Sequence, residues 1–416
     1  MGYVRARKNI LVQESLTMIY RGIVITGTDG AEIASVASEL CKCNEKLVLA
    51  QTITTKTAAS QSAGGEKWAI PTAKEQFEKM SHENKLILKA QHGSDFYGIT
   101  KKAVKQEIEK DKVPVFIAPP EVVVAIDTLA ATLHYSFFSV FLDAPDDVLD
   151  KRIAASGAKP PEYLEQRAKD RQNACGSTYI IRNTDDKKTV ELVLSLWEFR
   201  GSGGILPEKL IKLMINCGVL LENAETANAT GAAYDLVLGD EYYHNGKVAV
   251  LNEKDSFIKM KPGDYALVGS KEIANFPKDI AARFGLSVSL FFQGIILSNG
   301  PQIDPGFRGR LFCLLFNTSS AEVQLKRGQH YATMEFMKLL EPTTPYKGGH
   351  QDKNQISDYL PRDIPSSAIG ELRKDVESLK TEKWVIKILP LTISLLAIAI
   401  TLVMALPDLI KILTGG

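Results

Sequence analysis

Between residues 22 and 200, short β-branched or aromatic runs alternate with charged stretches of helical spacing. The runs are "GIVITG", "KLVLAQTI", "VPVFIA", "SFFSVFLDA" and "STYIIRN"; "TAKEQFEKMSHENK" and "ITKKAVKQEIEKDK" lie between them. This alternation predicts an α/β domain built on a mainly parallel sheet. "GSGG" (201–204) reads as a linker. After it the texture changes. One or two helices at "LPEKLIKLMINCG" give way to short strands broken by Gly, Pro and Asn, among them "AYDLVLGDEYY", "DYALVGS", "GLSVSLFFQGIILS", "RLFCLLF" and "YATMEFMKL". Many short strands with turn signals predict a mainly-β barrel or sandwich. Residues 341–365, rich in Pro, Gly, Asp and Lys, read as loop or linker.

The C-terminal pattern is different again. Ile369, Leu372, Val376, Leu379, Lys383 and Ile386 fall at 3-4-3-4-3 spacing, the seam of a short coiled coil or of an amphipathic helix, with Ser366 or Ser367 as cap. The chain then runs uncharged from Ile388 to Leu406, close to the roughly 20 residues that cross a bilayer. Lys374, Lys380, Lys383 and Lys387 precede this run and only Lys411 follows it. By the positive-inside bias, the expectation is a single-pass tail anchor with the large N-terminal part in the cytoplasm.

Composition narrows the picture only a little. Of 416 residues 45% are hydrophobic and 24% charged, with a net charge of +1, so ordinary folded domains are expected and no nucleic-acid partner is advertised. The five cysteines are scattered. Cys41 and Cys43 lack the second pair that a zinc site needs, and the expectation is reduced thiols and no metal. The first 22 residues have no unbroken apolar stretch of signal-peptide length.

"IVITGTDGAEIASVASEL" (23–40) has the strand–turn–helix layout of a phosphate-binding loop. That chemistry requires backbone amides around the phosphates, a Lys reaching the terminal groups and a hydroxyl on magnesium. Gly27 and Gly30 are in place, but Glu32 replaces a second glycine, Ile33 the lysine and Ala34 the hydroxyl. With "GSDFYGITKKAV", "FLDAPDDVLDKRIAASG" and "YIIRNTDDKKTVELV", the region resembles guanylate kinase. The resemblance places Lys56 and Ala59 where the family has phosphate-binding arginines, Ala118-Pro119-Pro120 at an acidic residue and Ser156 at a lid arginine. Lys for Arg is not conservative at a bidentate phosphate site. Gly27, Gly30, Lys56 and Tyr97 are the remnant of that site, and the expectation is a domain without kinase activity.

"GAAYDLVLGDEYY", "MKPGDYALVGSKEIANFPKDIAARF", "QIDPGFRGRL" and "VQLKRGQHYATMEFMKL", in that order, resemble the dCTP deaminase and dUTPase superfamily. The resemblance implies that Asp304, beside Gln302 and Gly306, holds a deoxyribose and its water. It also implies that Phe307 lies against the sugar, excluding a 2′-hydroxyl. Leu314 stands where deaminases carry a proton-shuttling Glu, and a leucine cannot carry a proton. In "GLSVSLFFQ" (285–293), Leu286 replaces the arginine of the family's Arg-Ser-Ser triphosphate grip. Arg283, Arg308, Arg310 and Lys326 are possible substitutes or plain surface charges, and "GGHQDKNQ" keeps Gln351 of the family's C-terminal lid motif but loses its Lys.

The expected layout is an N-terminal extension (1–21), a degenerate guanylate kinase-like α/β P-loop domain (22–200) and a mainly-β dUTPase-like domain of β-clip or jelly-roll type (205–355). A linker and short coiled coil (356–384) and a transmembrane segment (385–413) follow. The superfamily resemblance implies a homotrimer with sites between subunits. The leading functional expectation is a catalytically degraded, membrane-anchored nucleotide-binding protein. It would act as a sensor or effector of a nucleotide signal, suited to bacterial stress or anti-phage defence. Two alternatives stay open: an active dUTPase or, second, dCTP deaminase, and a trimeric scaffold whose kinase-like domain binds a protein partner. No cofactor is expected except Mg²⁺ accompanying a nucleoside triphosphate.

Overall fold

The computed structural model describes residues 19–56, 68–126, 135–254, 256–360 and 368–414. Ala59, most of the N-terminal extension and the capping Ser366 and Ser367 lie outside these residues.

The first domain is built on a five-stranded parallel sheet. Its order is Leu47–Ala50, Val113–Ile117, Ile19–Gly27, Tyr135–Asp143, Tyr179–Arg182. Ile23, Val24 and Ile25 at its centre are all fully buried, as in a parallel sheet covered on both faces. Helix Ile33–Cys43 buries Val36, Ala37 and Leu40, which share one helical face. Asp185 caps helix Asp186–Glu198 by accepting from the Lys187 and Lys188 amides. "KLVLAQTI" is not one strand. It breaks after Ala50, and Thr52–Thr54 joins a second sheet ordered Ala69–Pro71, Thr52–Thr54, Asp95–Thr100, Leu86–His92.

The second domain is mainly antiparallel. The path runs Gly204–Ile205, His330–Lys338, Ala233–His244, Tyr265–Asn275, Arg308–Asn317, Ile295–Ser298, and strand Ile280–Leu286 pairs with His330–Lys338. On Arg308–Asn317, Leu311, Cys313, Leu315 and Asn317 are buried, and Phe312, Leu314 and Phe316 are half-buried on the opposite face. "GLSVSLFFQGIILS" is not one strand: a short helix, Val288–Phe291, separates Ile280–Leu286 from Ile295–Ser298.

The two domains share one core. Val193 and Leu196 of helix Asp186–Glu198 belong to the same buried cluster as Ile211 and Met214 of helix Glu208–Asn216. "GSGG" is consequently no free linker, since Gly204 is already paired with Lys338. Across the boundary the Tyr179 hydroxyl donates to Asp279 at 2.5 Å, and Lys338 pairs with the same carboxylate at 2.7 Å. Asp279 is 2% exposed, so removing either partner would strand a buried charge.

The tail requires a correction. Ala368–Thr414 forms one continuous helix of 47 residues, but among the described residues no helix is long and apolar enough to cross a membrane. The uncharged run from Ile388 to Leu406 contains several hydroxyl-bearing residues. Thr392, Ser394 and Thr401 turn their hydroxyls back onto the Leu389, Pro390 and Ala397 carbonyls. The expected transmembrane segment, tail anchor and cytoplasmic orientation fall with it.

Candidate functional site

In the kinase-like domain the phosphate-loop segment is closed on itself. A Cβ on Gly27 would lie 2.1 Å from the Leu142 carbonyl oxygen, so only glycine fits there, and Gly30 has φ 82°. The Thr28 amide donates to Leu142 O and the Ala31 amide to Thr28 O, each at 3.1 Å. The Thr28 hydroxyl donates to Asp143, Arg152 donates to the Gly30 carbonyl at 3.3 Å, and Asn183 donates to the Ala31 carbonyl at 2.9 Å. Glu32 starts the helix in the left-handed region (φ 60°) with no side-chain cap. The loop is therefore filled by protein contacts and carries two acids, Asp29 and Glu32, where phosphate would need cations.

The arginines nearby are already engaged. Arg171 holds Asp143 at 2.8 Å and Asp146 at 2.9 Å, while the buried Arg167 holds Asp146 at 3.1 Å and Asp150 at 2.8 Å. Together these pairs hold the Asp146 carboxyl below its usual range, with Arg171 the largest influence. The Lys56 amide donates to the Thr54 hydroxyl at 3.1 Å. Tyr97 is buried and stacks on Trp68 with ring centroids 6.3 Å apart.

Sequence reasoning missed one cluster in this cleft. His92, Glu121 and Asp170 present ligand atoms within 4.8 Å of one another and could hold a divalent cation. His92 Nδ1 lies 3.0 Å from Glu121, which holds the imidazole above its ordinary value. Asp170, 2% exposed, accepts from Gln166 at 2.8 Å, and burial pushes its carboxyl up to about 6. Three residues separated by up to 78 positions leave no spacing signal in a single sequence.

In the β domain the structure assembles most of the expected residues around one turn. Ile303 bridges Ala282, and the Gly306 amide donates to the Pro277 carbonyl at 3.1 Å. Gln302 donates to the Asp304 carboxylate at 2.8 Å and orients it. Gln351 clamps the turn from outside, accepting from the Arg308 amide at 3.1 Å and donating to the Gly306 carbonyl at 2.9 Å. Arg308 pairs with Asp352 at 2.7 Å, and Phe307 meets Tyr346 edge-on at 5.4 Å. Arg283 sits one residue past the Ala282–Ile303 bridge, exposed, with Glu335 across the ladder.

Of the other cations considered, Arg310 donates to the Ser270 carbonyl at 3.2 Å, and Lys326 ends the separate two-stranded sheet of Phe257–Met260 with Val323–Lys326. Leu314 lies opposite Leu267 and Ser298 in the ladder. No ionisable group stands at either register position.

Residues 20–198 match the family model described as guanylate kinase, and residues 205–339 the one described as dCTP deaminase-like. A solved structure, the guanylate kinase of Anaplasma phagocytophilum, aligns at 18% identity and TM-score 0.33 over 44% of this chain and 87% of its own. A dCTP deaminase of Thermococcus kodakarensis is 36% identical over 141 residues, 33% of this chain and 89% of the relative. Another from Pyrococcus horikoshii is 31% identical over 139 residues, 33% of this chain and 88% of the relative. Through residues 205–339, behind a domain matching guanylate kinase, this chain belongs to the dCTP deaminase-like family.

Proposed function

We propose that the chain binds a deoxynucleotide at the Gln302–Arg308 turn without deaminating it, and acts as a nucleotide-responsive effector. Leu314 is the observation that carries this reading. It occupies the strand leaving the turn, between Leu267 and Ser298, and a hydrocarbon side chain cannot exchange protons with a pyrimidine. The oriented Asp304 and the buried Phe307 support retained sugar recognition. Ile33 and the acids Asp29 and Glu32 support a kinase-like domain that no longer transfers phosphate, because phosphoryl transfer depends on positioned cations. Where the ligand is a triphosphate, Mg²⁺ accompanies it.

Self-association as a homotrimer belongs to the same reading. Its support is an exposed apolar group on and beside helix Val288–Phe291: Val288, Phe291, Phe292 and Ile296, with Phe292 80% exposed. Leu372, Val376 and Leu379, exposed at heptad spacing, suit a coiled coil formed by the same three copies.

A second reading, an active dUTPase, is favoured by the oriented Asp304, since Leu314 bears on deamination alone. The two are separated by incubating the purified chain with dCTP or dUTP and resolving the products chromatographically, with calorimetric titration in parallel. The expected outcome is binding of a deoxynucleotide, abolished by Asp304→Asn, with the nucleotide recovered unchanged. Turnover of about 1 s⁻¹ or faster, an ordinary enzymatic rate, would overturn the effector reading.

A further inference from the structure

Between the two domains lies a cavity of about 880 Å³, within the size range of small-molecule sites. Its rim includes Gly306, Arg308 and Gln351 of the deoxynucleotide turn, and its far wall is the kinase-like domain, with Arg171 and Ser177. Gly306 and Arg308 thus belong both to the turn and to the cavity wall. The lining carries four basic residues, Arg171, Lys278, Arg308 and Lys347, against two acidic ones, Asp143 and Asp352.

Lys278 is 6% exposed and bridges the domains, donating to the Gly176 carbonyl at 2.7 Å. Next to Gly176, Ser177 is 3% exposed. Lys347, on the exposed rim, makes no ion pair among the described residues. The deaminase-like domain, for its part, has Leu286 where its relatives' triphosphate grip would have a cation.

We infer that this cleft is a polyphosphate subsite in which the kinase-like domain supplies, within the same chain, the phosphate contacts that the deaminase-like domain has lost. Lys278 and Lys347 offset the charge, and Arg171 and Arg308 exchange part of their carboxylate contacts for the ligand. A degenerate kinase fold thereby becomes part of a nucleotide site it does not catalyse. The inference rests on the nucleotide reading for the sugar and base, but its phosphate half can be tested alone.

The test titrates inorganic tripolyphosphate into the full chain by calorimetry, for the wild type and Lys347→Glu, a substitution on an exposed side chain that the fold tolerates. The expected result is binding that weakens about tenfold in Lys347→Glu and that declines with added salt. Absence of tripolyphosphate binding by the wild type, or undiminished binding by Lys347→Glu, overturns the inference. If tripolyphosphate binds through Lys347 while no deoxynucleotide binds, the inference stands and the deoxynucleotide reading fails. If a deoxynucleotide binds but tripolyphosphate does not, the reverse holds.

Discussion

Asp170 was invisible as a special residue in "LEQRAKDRQN", one acid in a charged helix. Packing buries it beside His92 and Glu121, with Asp29 close enough to act on it, and burial raises its carboxyl to about 6. A carboxyl that holds its proton more tightly folded than unfolded contributes stability that is fully present below about pH 4, the ordinary carboxyl value, and is lost as pH rises through 6. His92, raised by Glu121, moves the same way: its contribution is present below the usual imidazole range and lost above it. Urea midpoints between pH 4 and 7 should therefore fall more steeply in the wild type than in Asp170→Asn. Parallel curves for the two proteins would disprove the assignment. By contrast, the absence of a charge or an exchangeable proton at Leu314, Leu286 and Ile33 was fully legible, because it is a property of residue type and needs no coordinates.

Among the elements, the segment after residue 340 departs most from its sequence reading. Pro, Gly and Asp suggested a loop or linker, and only the resemblance gave Gln351 a lid role; in the structure Tyr346 covers Phe307, the Tyr346 amide donates to Pro305 at 2.8 Å, and Gly309 bridges Lys353. Composition reports that a segment lacks periodicity, not what it lies against. The contact point is Gly306, whose φ is 75° and whose hypothetical Cβ would sit 2.4 Å from that of Pro345. Gly306→Ala should cost roughly 1–3 kcal/mol and lift the segment, seen as a lowered thermal midpoint and faster proteolysis around residues 345–352. Unchanged cleavage would show that the segment is held elsewhere. The strand break after Ala50 and the helix at Val288–Phe291 were missed for a related reason: a continuous apolar run fits a strand, a bend or a short helix equally well.

At the scale of the whole molecule, the sequence separated two domains correctly in type, but not how far they merge. Tyr179, Asp279, Lys338 and Lys278 tie them together through buried polar contacts. In the proposed trimer, the exposed Phe291 and Phe292 are where further copies would meet. Sedimentation of the full chain at micromolar concentration should give a trimer, and Phe292→Glu should shift it to monomer by placing a charge in an apolar contact. A wild-type monomer under these conditions would refute the trimer.

By itself the sequence determined the order of the two folds, the turn around Asp304 and the residue types at Leu286, Leu314 and Ile33, since periodicity and residue chemistry are local properties. Tertiary structure alone decided which carboxylates engage Arg167 and Arg171, which contacts residues 346–353 make over the turn, and that a basic cleft opens between the domains. These depend on contacts between residues far apart in the chain, which a pattern of hydrophobic and polar positions does not encode.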